Sequence, residues 1–97
     1  MHLTALQVRS LTAPGRYTDS RGLTLVIGRD GSRRWVLRVQ RDKRRRDIGL
    51  GPVADVSLAE ARDIATEMRR QIRQGIDPVA ERQKARERKI AERERAQ

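Results

Sequence analysis

Between Arg29 and Arg46 the chain carries nine basic side chains, Arg29, Arg33, Arg34, Arg38, Arg41, Lys43, Arg44, Arg45 and Arg46, against two acidic ones, Asp30 and Asp42. Eight of the nine are arginines. A guanidinium presents a planar fork of donors that fits phosphate oxygens and the O6/N7 edge of guanine, where an ammonium is only a point charge. The chemistry such a cluster can do is recognition of a polyanion. A basic run is also the usual composition of a solvated surface, but the arginine bias of the chain and the clustering of its net charge in this stretch favour nucleic acid.

The elements that must position these arginines follow from periodicity. From Leu23 the apolar period is two: Leu23, Leu25 and Ile27 share one face, with Thr24, Val26 and Gly28 on the other. Asp30-Gly31 signals a hairpin of type I′, whose two central residues both need φ > 0. A second strand over residues 33–40 puts Trp35, Leu37 and Val39 inward and Arg34, Val36, Arg38 and Gln40 outward. After a turn at residues 41–44, a third strand to Leu50 turns Ile48 and Leu50 inward and Arg45, Asp47 and Gly49 outward. The result is a three-stranded antiparallel meander with one apolar face.

Helices flank it. Thr4 and Gln7 form a capping box, and Leu3 with Val8 a hydrophobic staple, for a short helix to about Leu11. Thr12-Ala13-Pro14-Gly15 ends it, and the segment to Gly22 reads as loop. Ser57 and Glu60 repeat the capping box, with Val56 and Ala61 as the staple. Leu58, Ala61, Ala65, Met68 and Ile72 then recur at helical spacing, widened by Ile64, until Gly75 and Pro78 stop the helix. Neither the apolar stripe nor the apolar sheet face can stay in water, so each covers the other. The fold class expected is α+β, one three-stranded antiparallel sheet on one main helix, with a short N-terminal helix and a charged C-terminal linker helix.

Strand parity then sorts the site. On the face away from the helix, Arg34 or Arg38 can fork onto guanine, Gln40 onto adenine, Asp47 can accept from a cytosine amine, and Val26 or Val36 can meet a thymine methyl, with Thr24 and Arg45 beside them. Arg29, Arg33, Arg41, Lys43, Arg44 and Arg46, on turns and rim, suit phosphate. Asp47 has a plainer alternative as an intra-sheet partner for a neighbouring arginine. Trp35 shares parity with Leu37 and Val39 and reads as core rather than as a base-stacking platform.

The whole chain has 97 residues, 23 Lys plus Arg against 13 Asp plus Glu, a net charge of +10 and no cysteine. That length allows one core. Without cysteine there is no disulfide framework, and without a long apolar run no membrane span or signal peptide is expected, so a cytoplasmic protein, nucleoid-associated when bound, is the expectation. His2 has no second ligand beside it. Gly49-x-Gly51 lacks the rest of a dinucleotide fingerprint. Lys43-Arg44-Arg45-Arg46 lies in an expected strand rather than a localisation signal, and Tyr17 has no catalytic companions. No metal, cofactor, small-molecule ligand or enzymatic activity is implied.

Several stretches together resemble the N-terminal arm-type DNA-binding domain of tyrosine recombinases, the integrases of temperate phages and genomic islands. They are Leu3-Thr4, residues 19–25 (DSRGLTL), residues 31–38 (GSRRWVLR), residues 48–62 (IGLGPVADVSLAEAR) and residues 75–78 (GIDP). The family commonly has an aromatic residue ahead of the proline in the loop after the last strand; here Gly51 precedes Pro52. The resemblance implies sequence-specific binding of double-stranded DNA at arm-type attachment sites through the three-stranded sheet, in support of integration and excision. It implies residues 1–78 as the DNA-binding domain and 79–97 as a charged linker toward a core-binding and catalytic region absent from this sequence, with other integrase domains or protomers as partners. The alternatives are a protein-interaction or oligomerisation module and a non-specific nucleic-acid binder.

Overall fold

The computed structural model describes residues 2–96. In chain order the elements are α1 (Ala5–Ser10), β1 (Gly15–Thr18), β2 (Leu23–Ile27), β3 (Arg33–Arg41), β4 (Arg44–Pro52), α2 (Leu58–Arg73) and α3 (Pro78–Ala96). The chain divides into two compact units, Met1–Ala65 and Thr66–Gln97, with the boundary inside α2.

The first unit holds a four-stranded antiparallel sheet in the order β1-β2-β3-β4. The expected sheet had three strands. The extra one, β1, lies in the stretch read as loop, where four residues give too short an alternation to register as a strand. It pairs with β2 through Gly15↔Ile27 to Thr18↔Thr24. The turn that permits this is Ser20-Arg21-Gly22-Leu23: Leu23 N donates to Ser20 O at 2.9 Å, and Arg21 and Gly22 both have positive φ, 48° and 89°. That is type I′ geometry, whose twist matches the strands. A Cβ on Gly22 would lie 2.3 Å from Arg38 O, so β3 approaches here as it can only to glycine.

The second hairpin forms, but not by the turn expected. Gly31 alone has positive φ, and the loop runs over residues 28–32, closed by Gly28 N to Ser32 O at 2.9 Å and Gly31 N to Gly28 O at 3.1 Å. Asp30 Oδ1 instead accepts from Ser32 N at 3.0 Å, an Asx-type bond that holds the loop in the alternative shape. The third hairpin turns at Asp42 and Lys43, both with positive φ, 53° and 65°. Between β3 and β4 the register shifts at Trp35/Val36, where Trp35 pairs with Gly51 and Val36 with Gly49. Leu50 is the extra residue of this bulge, and it stays buried.

The core of the unit is one face of the sheet together with the first turns of α2. Leu23, Leu25, Ile27, Trp35, Leu37, Ile48 and Leu50 are buried, as are Val8 of α1 and Leu58, Ala61 and Ala65 of α2. Val39, expected in this core, is half-buried: it pairs with Arg46 near the turn end of the β3–β4 hairpin, beyond the buried Leu37 and Ile48. Both capping boxes form: Gln7 N donates to Thr4 Oγ1 at 3.1 Å and Thr4 N to Gln7 Oε1 at 2.9 Å, while Glu60 N donates to Ser57 Oγ at 3.1 Å and Ser57 N to Glu60 Oε1 at 3.3 Å.

In the second unit α2 closes with a Schellman motif: Ile76 N donates to Gln71 O at 2.9 Å and Gly75 N to Ile72 O at 3.0 Å, with Gly75 at φ 82°. Asp77 then caps α3 by accepting from Val79 N at 2.9 Å, and Pro78 takes the first helical position, where its missing N–H costs nothing. The charged tract is thus helical over Pro78–Ala96. No helix among the described residues is long and apolar enough to cross a membrane.

Candidate nucleic-acid interface

Pairing registers fix which side chains share the face opposite the core. The row Arg16, Val26, Arg34, Pro52 is followed by Thr18, Thr24, Val36, Gly49, then by Arg38 with Asp47 and Gln40 with Arg45. Alternation places all of them on the side away from Trp35 and Leu37. Arg34, Arg38, Gln40, Arg45 and Asp47 are exposed, as the sequence leads one to expect. Thr24, Val26 and Val36 lie on the same face but are buried, the floor of the surface rather than its projecting groups.

The cover over that floor is a bridge of charges. Asp47 Oδ1 accepts from Arg38 Nε at 3.1 Å and Asp47 Oδ2 from Arg16 Nη1 at 3.2 Å. Three strand spacings of about 4.8 Å separate β1 from β4, so Arg16 and Asp47 can meet only by reaching across β2 and β3. Their diagonal crosses the row that holds Thr24 and Val36. The Arg38 hydrogen bond, against the opposing effect of burial and with added help from Arg16, holds the Asp47 carboxyl below the ordinary carboxylate range. Asp47 thus makes the intra-sheet contact with a neighbouring arginine that was one of its two expected readings. Arg16 was not among the expected residues. The one signal for it was Arg16-Tyr17-Thr18 set between Gly15 and the Arg21-Gly22 turn.

The remaining basic residues occupy the two ends of the sheet. Arg29 is exposed on the β2–β3 loop. Arg41, Lys43, Arg44 and Arg46 are exposed at the β3–β4 turn, with Arg41 Nε 4.0 Å from Asp42 Oδ2. Arg33 stands apart from this rim set. It has the parity of Trp35, and its guanidinium donates through Nη1 to Val8 O and through Nη2 to Leu11 O. These are carbonyls at the end of α1 that lack helical partners, so Arg33 caps a helix instead of lining the rim.

What fixes the face in space lies behind it. The Trp35 side chain is fully buried and its Nε1–H donates to Val56 O at 2.8 Å, joining the central strand to the residue before the Ser57 cap. Asp19, at the end of β1 and also fully buried, accepts from Leu3 N at 2.7 Å, from Arg62 Nη2 at 2.8 Å and Nε at 3.0 Å, and from Ser20 Oγ at 3.2 Å. Burial pushes its carboxyl up, but the bonds from Arg62 and Leu3 and the Arg62 charge outweigh that and hold it below the ordinary range. No buried side-chain nitrogen or oxygen among the described residues lacks a partner. An exposed basic face is therefore carried on an interior whose buried side-chain polar atoms all have partners.

Two comparisons with known proteins bear on this face. Residues 3–85 match the model of the Arm DNA-binding domain family. Over 66 residues, 68% of this chain, the sequence is 38% identical to the integrase of Shigella phage Sf6, and to the same extent to the prophage integrase IntS of Escherichia coli strain K12. The chain spans only 17% of the length of either relative. With a family match over most of its length, and an arginine-rich sheet face opposite a closed core, the chain belongs to the arm-type DNA-binding domains of integrases.

Proposed function

We propose that this chain binds double-stranded DNA in a sequence-specific manner at arm-type attachment sites, and so supports site-specific recombination by a tyrosine-type integrase. The outer face of the sheet enters the major groove. Arg34, Arg38, Gln40 and Arg45 address base edges, with Thr24, Val26 and Val36 reached once Arg16 moves off them. Arg29, Arg41, Lys43, Arg44 and Arg46 hold phosphates. β3 has nine residues and spans about 30 Å at about 3.3 Å per residue, while a ribbon two or three strands wide suits a groove about 12 Å across.

The observation that carries this reading is the alternation along β3: Trp35 and Leu37 buried, Arg34, Arg38 and Gln40 exposed on the opposite face. Residues 79–97 act as the link to the core-binding and catalytic parts of the integrase, and the protein works in the cytoplasm, on the nucleoid when bound. The relatives' names support a role in integration.

The test is selection from a pool of random duplexes followed by footprinting of the enriched sequence. The expected outcome is a short protected site whose affinity falls about 10- to 100-fold with Arg38→Ala, equivalent to about 1–3 kcal/mol, while affinity for unrelated duplex falls far less. Equal affinity for single-stranded RNA and every duplex would instead identify a general nucleic-acid binder. A salt-insensitive association with another protein, untouched by Arg38→Ala, would identify an interaction module.

A further inference from the structure

An acidic side chain stands in the middle of the face that is to meet a polyanion. Asp47 shares that face with Arg16, Arg34, Arg38 and Arg45. Its own charge opposes the approach of phosphate whatever the base sequence, so its effect on affinity is unfavourable for all duplexes alike. Its effect on geometry is not uniform. It takes Arg38 through Nε, the inner nitrogen of the guanidinium. The bond fixes the plane of the group and leaves the two terminal nitrogens for an end-on fork of the kind that fits guanine O6 and N7. The side chains of Arg38 and Asp47 are 43% and 38% exposed, so the pair is open to solvent on the outer face of the sheet.

Through Oδ2 the same carboxylate holds Arg16 across the floor formed by Thr24 and Val36. A duplex that cannot engage Arg38 must therefore approach a face whose guanidinium charge is partly neutralised and whose apolar floor is covered.

Resting on the reading of the outer face as a DNA-binding surface, we propose that Asp47 is a specificity-determining residue: it positions Arg38 for a guanine and lowers affinity for every duplex that lacks that guanine. Asp47 is a positioning residue, acting through Arg38 and Arg16, and not a reader of cytosine.

The experiment uses the 97-residue chain and two probes, a duplex enriched by the wild-type chain from a random pool and a shuffled duplex of the same composition. Dissociation constants are measured for wild type, Asp47→Asn and Asp47→Glu, after a melting curve establishes that each is folded. Asp47→Asn is expected to tighten binding to the shuffled duplex about fivefold, the effect of removing one opposing charge near physiological salt, and to leave binding to the enriched duplex unchanged or weaker. The ratio of the two constants then falls fivefold or more. Replacing the guanine of the enriched site by 7-deazaguanine, which lacks N7, is expected to cost Asp47→Asn less than it costs wild type. Asp47→Glu retains the charge, so its affinity for the shuffled duplex stays within twofold of wild type; this arm holds even should Asp47→Asn not fold. An unchanged ratio in Asp47→Asn, with both duplexes bound more tightly or neither, overturns the proposal and leaves the DNA-binding reading intact. Enrichment of no sequence by wild type overturns both.

Discussion

Arg62 Nη2 lies 2.8 Å from Asp19 Oδ1 and 2.9 Å from Leu3 O, so one guanidinium on α2 ties the end of β1 to the segment before α1. Asp19 is fully buried, whereas the Arg62 side chain is 43% exposed. Removing the acid strands Leu3 N–H and two guanidinium donors; removing the base leaves a buried carboxylate. Asp19→Ala is expected to cost about 2–3 kcal/mol, below the roughly 3–5 kcal/mol of a fully buried pair because water reaches Arg62. Urea unfolding followed by circular dichroism checks this, with Arg62→Lys, which keeps the charge but not the fork, falling between wild type and Arg62→Ala.

The same carboxyl gives the protein an acid limit. Burial alone would raise its pKa, but the bonds from Arg62 and Leu3 bring the folded value below the ordinary one. A depressed folded pKa means that the folded state holds the proton less tightly than the unfolded chain does. Its stabilisation is complete above the unfolded value of about 3.9 and is lost as pH falls through the lower folded value. Melting temperature is expected to drop over that window, and the Asp19→Asn protein, less stable at neutral pH, is expected to show a flatter decline there.

Gly22, on the turn between β1 and β2, packs directly against the backbone of β3 at Arg38. Its φ of 89° and the 2.3 Å approach of a Cβ to Arg38 O leave no room for a side chain, since the neighbour is backbone. Gly22→Ala is expected to destabilise by about 2 kcal/mol or more. It should also loosen the Arg38 N to Gly22 O bond, 2.9 Å here. Amide hydrogen exchange reads both, with the loss of protection largest at Arg38.

Lys43 separates backbone strain from charge. Its φ of 65° is unusual for a long side chain, and a glycine at this turn relieves it. Lys43→Gly is expected to raise stability by up to about 1 kcal/mol. It should nonetheless weaken binding to enriched and shuffled duplexes alike, and reduce the slope of log K against log salt by about 0.9, one phosphate contact. Thermal melts and a salt titration on one variant give both answers.

Much of this fold was legible because its signals are local. Thr4 with Gln7 and Ser57 with Glu60 are capping boxes spelled out in four residues each, and Trp35 and Leu37 carry a period that survives any tertiary context. β1 was not legible: its four residues are a strand only because β2 offers an edge, and its turn puts Arg21 in a conformation that the residue type does not announce. The Asp30-Gly31 turn was misread because the Asp30 carboxylate bonds Ser32 N and so selects another loop. Arg33 was placed on the rim by its charge, although its parity with Trp35 already pointed it toward α1. The outward set of β3 followed from alternation alone; the Asp47 bridge to Arg16 did not, because it joins residues 31 apart in the chain through a strand the sequence hides.

β4 is an outer strand of the sheet and opens with three consecutive arginines, Arg44 to Arg46. An unpaired strand border is a template on which a second copy can build, and like charges along it keep copies apart. Strong brine, the customary remedy for proteins that cling to DNA, shortens the reach of that repulsion. The like charges of Arg44, Arg45 and Arg46 thus oppose the pairing of β4 with a second copy, and high salt weakens that opposition.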